Sequence, residues 1–412
     1  MARRERGRVT RVSLIFVGLL KISLGLLLRF RYRLVTENLK ILYRVKPPYV
    51  ILPNHITTWD PFFIGTFVPG PVYNVTSDFQ FRRRIMRMVH KLVGSIPKSK
   101  VIPDIETIKR IMEVRQKQGI IGIYPEGMRC WDGHTAETIA QTAKLLKFLK
   151  VPVISTVMKG AFLSLPRWSK HRRKGKVVIT FGKLFSGPEL ARLSLGEIQG
   201  RIDEALRHDE YEYQQSQMLP YRCTRPAENL ELVLFMCPSC ESIGRLHSRG
   251  HRFHCEKCGY SVWYNDFGFL EPRKGELRFS TVRDWNLWQK ERLEEVVAVS
   301  ARGGGSETIL SDHGLRMYVG YRTKPVRRRA VGEIRLETRE LSFHPLKGEI
   351  LRFPLGEIEG ANVQIGECLE FYHGKVLYRF VSKERRVSGY KWMLAIEALQ
   401  RQLGLSRPDE AI

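Results

Sequence analysis

The sequence predicts an α/β fold, a mostly parallel sheet covered by helices, extended by two smaller units. Three observations carry that expectation. From Tyr49 to about residue 215, short apolar runs alternate with stretches of helical periodicity. Two Cys-x2-Cys pairs follow, and from Gly314 short alternating segments are broken by turn signals until a last amphipathic stretch.

The alternation can be followed along the chain. "YVIL" (Tyr49 to Leu52) is an unbroken apolar run of strand length, suited to burial on both faces. Ile105, Ile108, Ile111 and Met112 recur at helical spacing behind Asp104, a side chain able to cap a first turn, and Gly119 stops the pattern. "IIGIY" is the next strand. Ala136 to Lys150 is the next helix, with Ile139, Ala143, Leu146 and Leu149 on one face. "VPVIST" and "KVVITFG" add strands, and Pro188 to His208 ends the series as a helix.

Ahead of the sheet, the first 50 residues hold twelve Lys/Arg against two acids and enclose an apolar run from Val12 to Leu28. As a helix it is about 25 Å long, short of a hydrocarbon core of about 30 Å, and Lys21 sits at its middle. Arg3, Arg4, Arg6, Arg8 and Arg11 precede it and Arg29, Arg31 and Arg33 follow, so charge bias sets no orientation. No small-residue cleavage site follows. Residues 1–45 therefore read as a retained membrane-docking helix lying in one leaflet, in preference to a full span or a core helix. "RRRIMRMVHKLVG" (82–94) and "PRWSKHRRKGK" (166–176) have the composition of further contacts with anionic headgroups or an acidic carrier protein.

The charge balance agrees with such partners. Among 412 residues, 69 Lys/Arg stand against 42 Asp/Glu, a net +27, while 43% apolar content supports more than one core and excludes a disordered tail. The partner must be polyanionic: nucleic acid, lipid headgroups, a phosphorylated substrate or an acidic protein.

Cys237-x2-Cys240 and Cys255-x2-Cys258, separated by 14 residues, have metal-ligand spacing, with Gly259 placed where a knuckle turns. Four thiolates complete a tetrahedron, so the expected ion is a structural zinc in a ribbon over 228–272, leaving His251 and His254 as surface histidines. A closed site has no open position for chemistry, so losing the metal should unfold this unit while activity elsewhere survives at least partly. Asp284 to Val297 reads as a connecting helix and "ARGGGS" as a linker, within 273–310. Residues 311–412 then carry strands split by "HPLKGE" and "YHGK" and a final helix with Trp392, Ile396 and Leu399 on one face. Strands capped by one C-terminal helix resemble a pleckstrin-homology or GRAM-like module, and fit a generic small β-domain equally.

The chemistry is expected in "PNHITTWDP". His55 and Asp60 are out of phase for one helix face, so they meet only if the backbone turns between them; equally, Asp60 before Pro61 is what a helix cap looks like. A second polar stretch, "YPEGMRCWDG", ends a buried strand, where α/β sheets place their sites.

Four blocks in order, "NHITTWD", "GSIPKSK", "YPEGMR" and "VPVI", resemble the glycerolipid acyltransferase superfamily, especially 1-acylglycerol-3-phosphate acyltransferases. Lys100 stands where arginine is usual, Met128 where threonine is, and Cys130 where serine is. The resemblance implies a catalytic domain over 46–220. There His55 takes the proton of an acceptor hydroxyl, Asp60 orients the imidazole, and Arg129 and Lys100 hold the acceptor phosphate. Glu126 would order the acceptor site, and backbone N–H groups around Gly127 would face the oxyanion. Cys130 reads as a small buried residue and not a nucleophile.

The implied reaction moves a fatty acyl group from acyl-CoA or an acyl-carrier protein to a lysophospholipid, 1-acylglycerol-3-phosphate, giving phosphatidic acid at a membrane, from a site facing the cytoplasm. Another lysophospholipid or an alcohol acceptor is the first alternative. A basic nucleic-acid-binding zinc-ribbon protein and a non-catalytic membrane scaffold are rivals of another class; the apolar N-terminal run and the four blocks count against nucleic acid as partner.

Overall fold

A computed structural model of the chain describes residues 13–99, 105–303, 308–364, 367–382 and 387–405. Asp104, Lys100 and the five arginines ahead of Val12 lie outside the described residues.

The first unit runs α1 (Leu14–Tyr32), β1 (Leu34–Glu37), α2 (Ile41–Arg44), β2 (Tyr49–Pro53), α3 (Asp60–Gly65), β3 (Val72–Ser77), α4 (Arg84–Leu92) and β4 (Ile96–Lys98). It continues with α5 (Ile105–Gln116), β5 (Ile120–Gly122), α6 (Gln141–Leu149), β6 (Val153–Lys159), α7 (Ala161–Ser164), β7 (Val177–Phe185), α8 (Gly187–Arg192), α9 (Leu195–Leu206) and α10 (Glu210–Gln217). Its seven strands lie in the order β1-β7-β6-β2-β5-β3-β4. Every neighbouring pair is parallel except β6 with β7, so the sheet is mostly parallel.

The period of two along β2 divides the core. Val50 and Leu52 face Ile111, Val114, Ala143, Leu146, Ile198 and Ile202 of the covering helices, whereas Tyr49 and Ile51 point to the opposite face. On that opposite face the core is continuous with those of the two following units. Two sequence expectations shift. The helix expected from Ala136 begins only at Gln141, because Ile139 donates its N–H to the Pro125 carbonyl and Ala136 its N–H to Glu126. Pro188–His208 is two helices, each opened by a serine cap with a reciprocal glutamate, Ser186 with Glu189 and Ser194 with Glu197.

In α1, Lys21 turns inward and donates to the carbonyls of Val68 (2.6 Å) and Gly70 (2.8 Å). Gly25, Leu28 and Tyr32 pack on the domain, and Leu14, Ile15, Leu19, Ile22, Leu26, Leu27 and Phe30 face outward. The lysine that interrupts the apolar run in sequence therefore does not interrupt the exposed apolar face. Among the described residues no helix is long and apolar enough to cross a membrane.

The ribbon strands β8 (Leu246–Arg249), β9 (Arg252–Cys255), β10 (Ser261–Tyr264) and β11 (Leu270–Lys274) form an antiparallel meander. Helix α11 (Val282–Gly303) leads to β12 (Leu310–Gly320), β13 (Arg327–Leu336), β14 (Glu340–Pro345), β15 (Leu351–Pro354), β16 (Ile358–Gln364), β17 (Cys368–His373) and β18 (Val376–Val381). These seven pair in the order β15-β14-β13-β12-β18-β17-β16, all antiparallel. Helix α12 (Gly389–Gln402) caps them with Trp392, Ile396 and Leu399 inward, as the spacing predicts.

The units are not beads on a string. Arg82 of the first unit forms a buried pair with Glu370 of the C-terminal module at 2.9 Å, beside Asp78 and Arg379. Removing one partner of such a pair costs about 3–5 kcal/mol. Arg87 donates to the Thr323 carbonyl, so part of the basic side of α4 meets protein, while Ile85 and Met88 face out. The "PRWSKHRRKGK" stretch is also largely interior: Arg167, Trp168 and Arg173 are buried, and Arg173 donates to the Tyr264 hydroxyl and the Pro226 carbonyl. Three of its residues thus join the ribbon and the C-terminal module to the first unit instead of facing headgroups.

Candidate active site

β2 and β5 are parallel neighbours, so the loops at their C-terminal ends emerge side by side. The first loop carries His55 and Asp60, the second Glu126, Gly127 and Arg129. Asn54 starts the first loop by pairing its amide with both backbone groups of Met158 on β6, at 2.9 and 3.3 Å. This fixes where the chain leaves the sheet.

Asp60 is fully buried and is the first residue of α3, not its cap; its carboxylate folds back over the loop. It accepts from His55 Nδ1 at 2.8 Å, from the Ile56 and Thr57 N–H groups at 2.7 and 2.9 Å, and from Thr57 Oγ1 at 2.7 Å. The turn and the His55–Asp60 pair are therefore one structure: the donors that shape the turn also lock the carboxylate against the imidazole. With Nδ1–H given to Asp60, the Nε2 lone pair is left as the proton acceptor. The His55 side chain is 22% exposed, enough for an acceptor to reach it. Burial holds its pKa below the usual imidazole value and outweighs the upward pull of Asp60, so the ring stays neutral and basic near pH 7.

Glu126 ties the two loops together. One oxygen accepts from His55 N–H at 2.7 Å and the other from Ala136 N–H at 3.1 Å, while the Cys130 N–H donates to the His55 carbonyl at 2.7 Å. Burial pushes its carboxyl up to about 8. Both oxygens being taken, Glu126 serves to position the His55 backbone. Gly127 sits at φ +67° and a Cβ there would stand 2.6 Å from Ile139 Cδ1, so the turn requires glycine. Its N–H donates to the Tyr124 carbonyl at 3.2 Å and is spent on the turn, not on an oxyanion. Cys130 is buried, and burial pushes its thiol well above the usual range, as expected of an inert packing residue.

The Arg129 guanidinium is desolvated, which lowers its pKa, and it feels the charges of Asp60 and Glu367. Sequence reasoning missed its neighbour Arg167. That guanidinium stacks on the Trp131 ring at 3.6 Å, donates to the Arg129 carbonyl at 3.3 Å and to Val363 O at 2.5 Å, and both arginines depress His55. No sequence signal separates Arg167 from the other basic residues around it.

The four ribbon cysteines come together, their sulfurs all within 4.8 Å of one another. Cys237 Sγ lies 3.7 Å from Cys258 Sγ, and Cys240 Sγ 3.8 Å from Cys255 Sγ. Zinc–thiolate bonds of about 2.3 Å place the corners of a tetrahedron about 3.8 Å apart, so the cluster has the dimensions of a four-thiolate site. His254 is half-buried, and His251 stacks on Trp263 at 4.7 Å and bonds Tyr264 O, so neither is a free surface histidine.

Residues 33–159 match the acyltransferase family model. No curated protein matches the chain. Among solved structures it is similar to the 1-acyl-sn-glycerophosphate (LPA) acyltransferase PlsC from Thermotoga maritima, with 14% identity, 50% of this chain and 79% of that chain covered, and a TM-score of 0.41. It is also similar to the N-terminal PH domain of human ARAP2, with 15% identity, 25% of this chain and 89% of that chain covered, and a TM-score of 0.19. At these scores neither likeness carries weight for fold or activity, which rest on the geometry above and on the family match. The matched residues 33–159 include both the His55–Asp60 turn and the Tyr124–Arg129 loop, so the whole candidate pair of loops lies within the acyltransferase family match.

Proposed function

We propose that the chain transfers a fatty acyl group from a thioester, acyl-CoA or acyl-carrier protein, to the free hydroxyl of 1-acylglycerol-3-phosphate, forming phosphatidic acid. The observation that carries this reading is the buried Asp60 carboxylate locked onto His55 Nδ1 at 2.8 Å, beside two desolvated arginines. His55 Nε2 takes the acceptor hydroxyl proton as its oxygen attacks the thioester carbonyl carbon. Asp60 stabilises the imidazolium so formed. The C–S bond then breaks, and the leaving sulfur takes the proton from His55. Arg129 grips the acceptor phosphate as a planar fork, with Lys100, outside the described residues, adding a point charge.

The ribbon cysteines would hold a zinc ion, which supplies folding energy and no chemistry. The outward face of α1, with Ile15, Leu19, Ile22, Leu26 and Phe30, would lie in the cytoplasmic leaflet while Arg29, Arg31 and Arg33 meet anionic headgroups.

The test is an acyl-transfer assay of purified protein with both donor types against a panel of lysophospholipids, a monoacylglycerol and a long-chain alcohol. Preference for 1-acylglycerol-3-phosphate is expected. Equal use of all acceptors would move the reading to an unspecified lysolipid or alcohol acceptor, and turnover of none would remove it.

A further inference from the structure

The C-terminal module reaches into the corner of the site where the arginines stand. Glu367, at the turn leading into β17, has its Oε1 3.7 Å from Arg167 Nε, and its charge is felt by both Arg129 and Arg167. It is not there by default of a better place. The module holds it with a clamp on either side, the Val363 carbonyl on Arg167 Nη2 and the Arg82–Glu370 pair. Tyr390 of α12 stacks on Trp131 at 4.0 Å, on the ring whose face Arg167 covers. Among the described residues, Glu367 is the one carboxylate outside the His55–Asp60 and Glu126 set whose charge reaches Arg129.

Two guanidinium groups alone would present two positive charges to an incoming phosphate. With Glu367 ionised the corner carries a net charge of about one, and with a proton on it about two. A phosphomonoester brings close to two negative charges, a phosphodiester one and a neutral glyceride none.

We propose that Glu367 is a specificity-determining residue of the acceptor site: its carboxylate offsets part of the Arg129/Arg167 charge and restrains binding of the doubly charged phosphomonoester head group. This rests on the acyltransferase reading above and extends it to a residue about 240 positions from Arg129 in sequence, contributed by a different unit. Glu367 acts through its charge on the two arginines and is given no part in proton transfer.

The test compares kcat/KM for 1-acylglycerol-3-phosphate, a lysophosphodiester and a monoacylglycerol in the wild type and in Glu367→Gln and Glu367→Asp, with thermal melting of each protein. Glu367→Gln should raise the ratio for phosphomonoester over neutral acceptor by about tenfold, mainly through KM, with the phosphodiester in between. Glu367→Asp, which keeps the charge, should stay within about threefold of the wild-type ratio. If Gln does not fold, Glu367→Ala makes the same comparison, since Arg167 keeps its stack on Trp131 and its bond to Val363. An unchanged ratio in the neutral variants, or equal changes in Gln and Asp, would overturn the proposal and leave the acyltransferase reading standing. A wild type that turns over no acceptor would overturn both, and the two failures are told apart by the wild-type assay alone.

Discussion

Asp60→Asn isolates the carboxylate from its shape. Asp60 receives donors on both oxygens: His55 Nδ1 and Ile56 N–H on Oδ2, Thr57 N–H and Thr57 Oγ1 on Oδ1. Asparagine offers one oxygen and one NH2. If the oxygen stays toward His55, the NH2 meets the Thr57 N–H, and a buried donor left unpaired costs about 1–3 kcal/mol of stability. If the amide flips, the NH2 faces His55 Nδ1, which must then carry its lone pair there and its proton on Nε2, so the base is lost. In either rotamer the imidazolium loses its counter-charge. The expected result is a kcat lower by about 10² to 10⁴, or about 3–5 kcal/mol of barrier, on a protein that still melts cooperatively.

Release of free thiol from the acyl thioester measures this rate, read against thermal melting and a pH profile. In the wild type the acid limb of kcat/KM should lie below about pH 6.5, because burial depresses His55 and the base form persists to lower pH. Since Asp60 pulls the His55 pKa up, its loss should move that limb lower still while the plateau drops. A variant that keeps turnover within about tenfold of wild type with an unshifted limb would reduce Asp60 to a turn former and refute the catalytic pair.

Arg129→Ala should cost roughly 2–5 kcal/mol in kcat/KM for 1-acylglycerol-3-phosphate and erase most of its preference over a monoacylglycerol; equal losses on both acceptors would assign Arg129 to the fold or the thioester. Metal analysis should find about one zinc per chain. Chelation or Cys237→Ser should lower acyl transfer as well as unfold the ribbon. Gln289 bonds the backbone of Val233, Phe235 and Met236 beside Cys237, and its neighbour Asn286 bonds Asp132 in the active-site loop at 2.6 Å. Full activity in a zinc-free protein would contradict this. Ile22→Glu with Leu26→Glu should release the protein from anionic vesicles even at low salt, whereas high salt alone should not release the wild type; retention of the double variant would move the lipid contact elsewhere.

Much of this was legible in the sequence because it depends on short-range order. The period of two in "YVIL", the Cys-x2-Cys spacing and the face formed by Trp392, Ile396 and Leu399 are local patterns, and each appears where expected. The two polar loops were likewise recognisable from residue types that break regular structure at strand ends. Local sequence also left Asp60 open between a helix cap and a catalytic carboxylate, and only the folded turn made it the partner of His55. The direction of Lys21 depended on the Val68 and Gly70 carbonyls nearly 50 residues away. The basic stretch around Arg167 looked like a surface because six cations without an acid seldom enter a core. It is buried because its partners arrive from elsewhere in the fold, Trp131 from the loop after β5 and Tyr264 and the carboxylate of Glu367 from the two other units. Composition and periodicity carry information over a turn of helix or a strand. Which charges meet across more than two hundred residues is decided by the packing of three units around one shared core, and no local pattern encodes it.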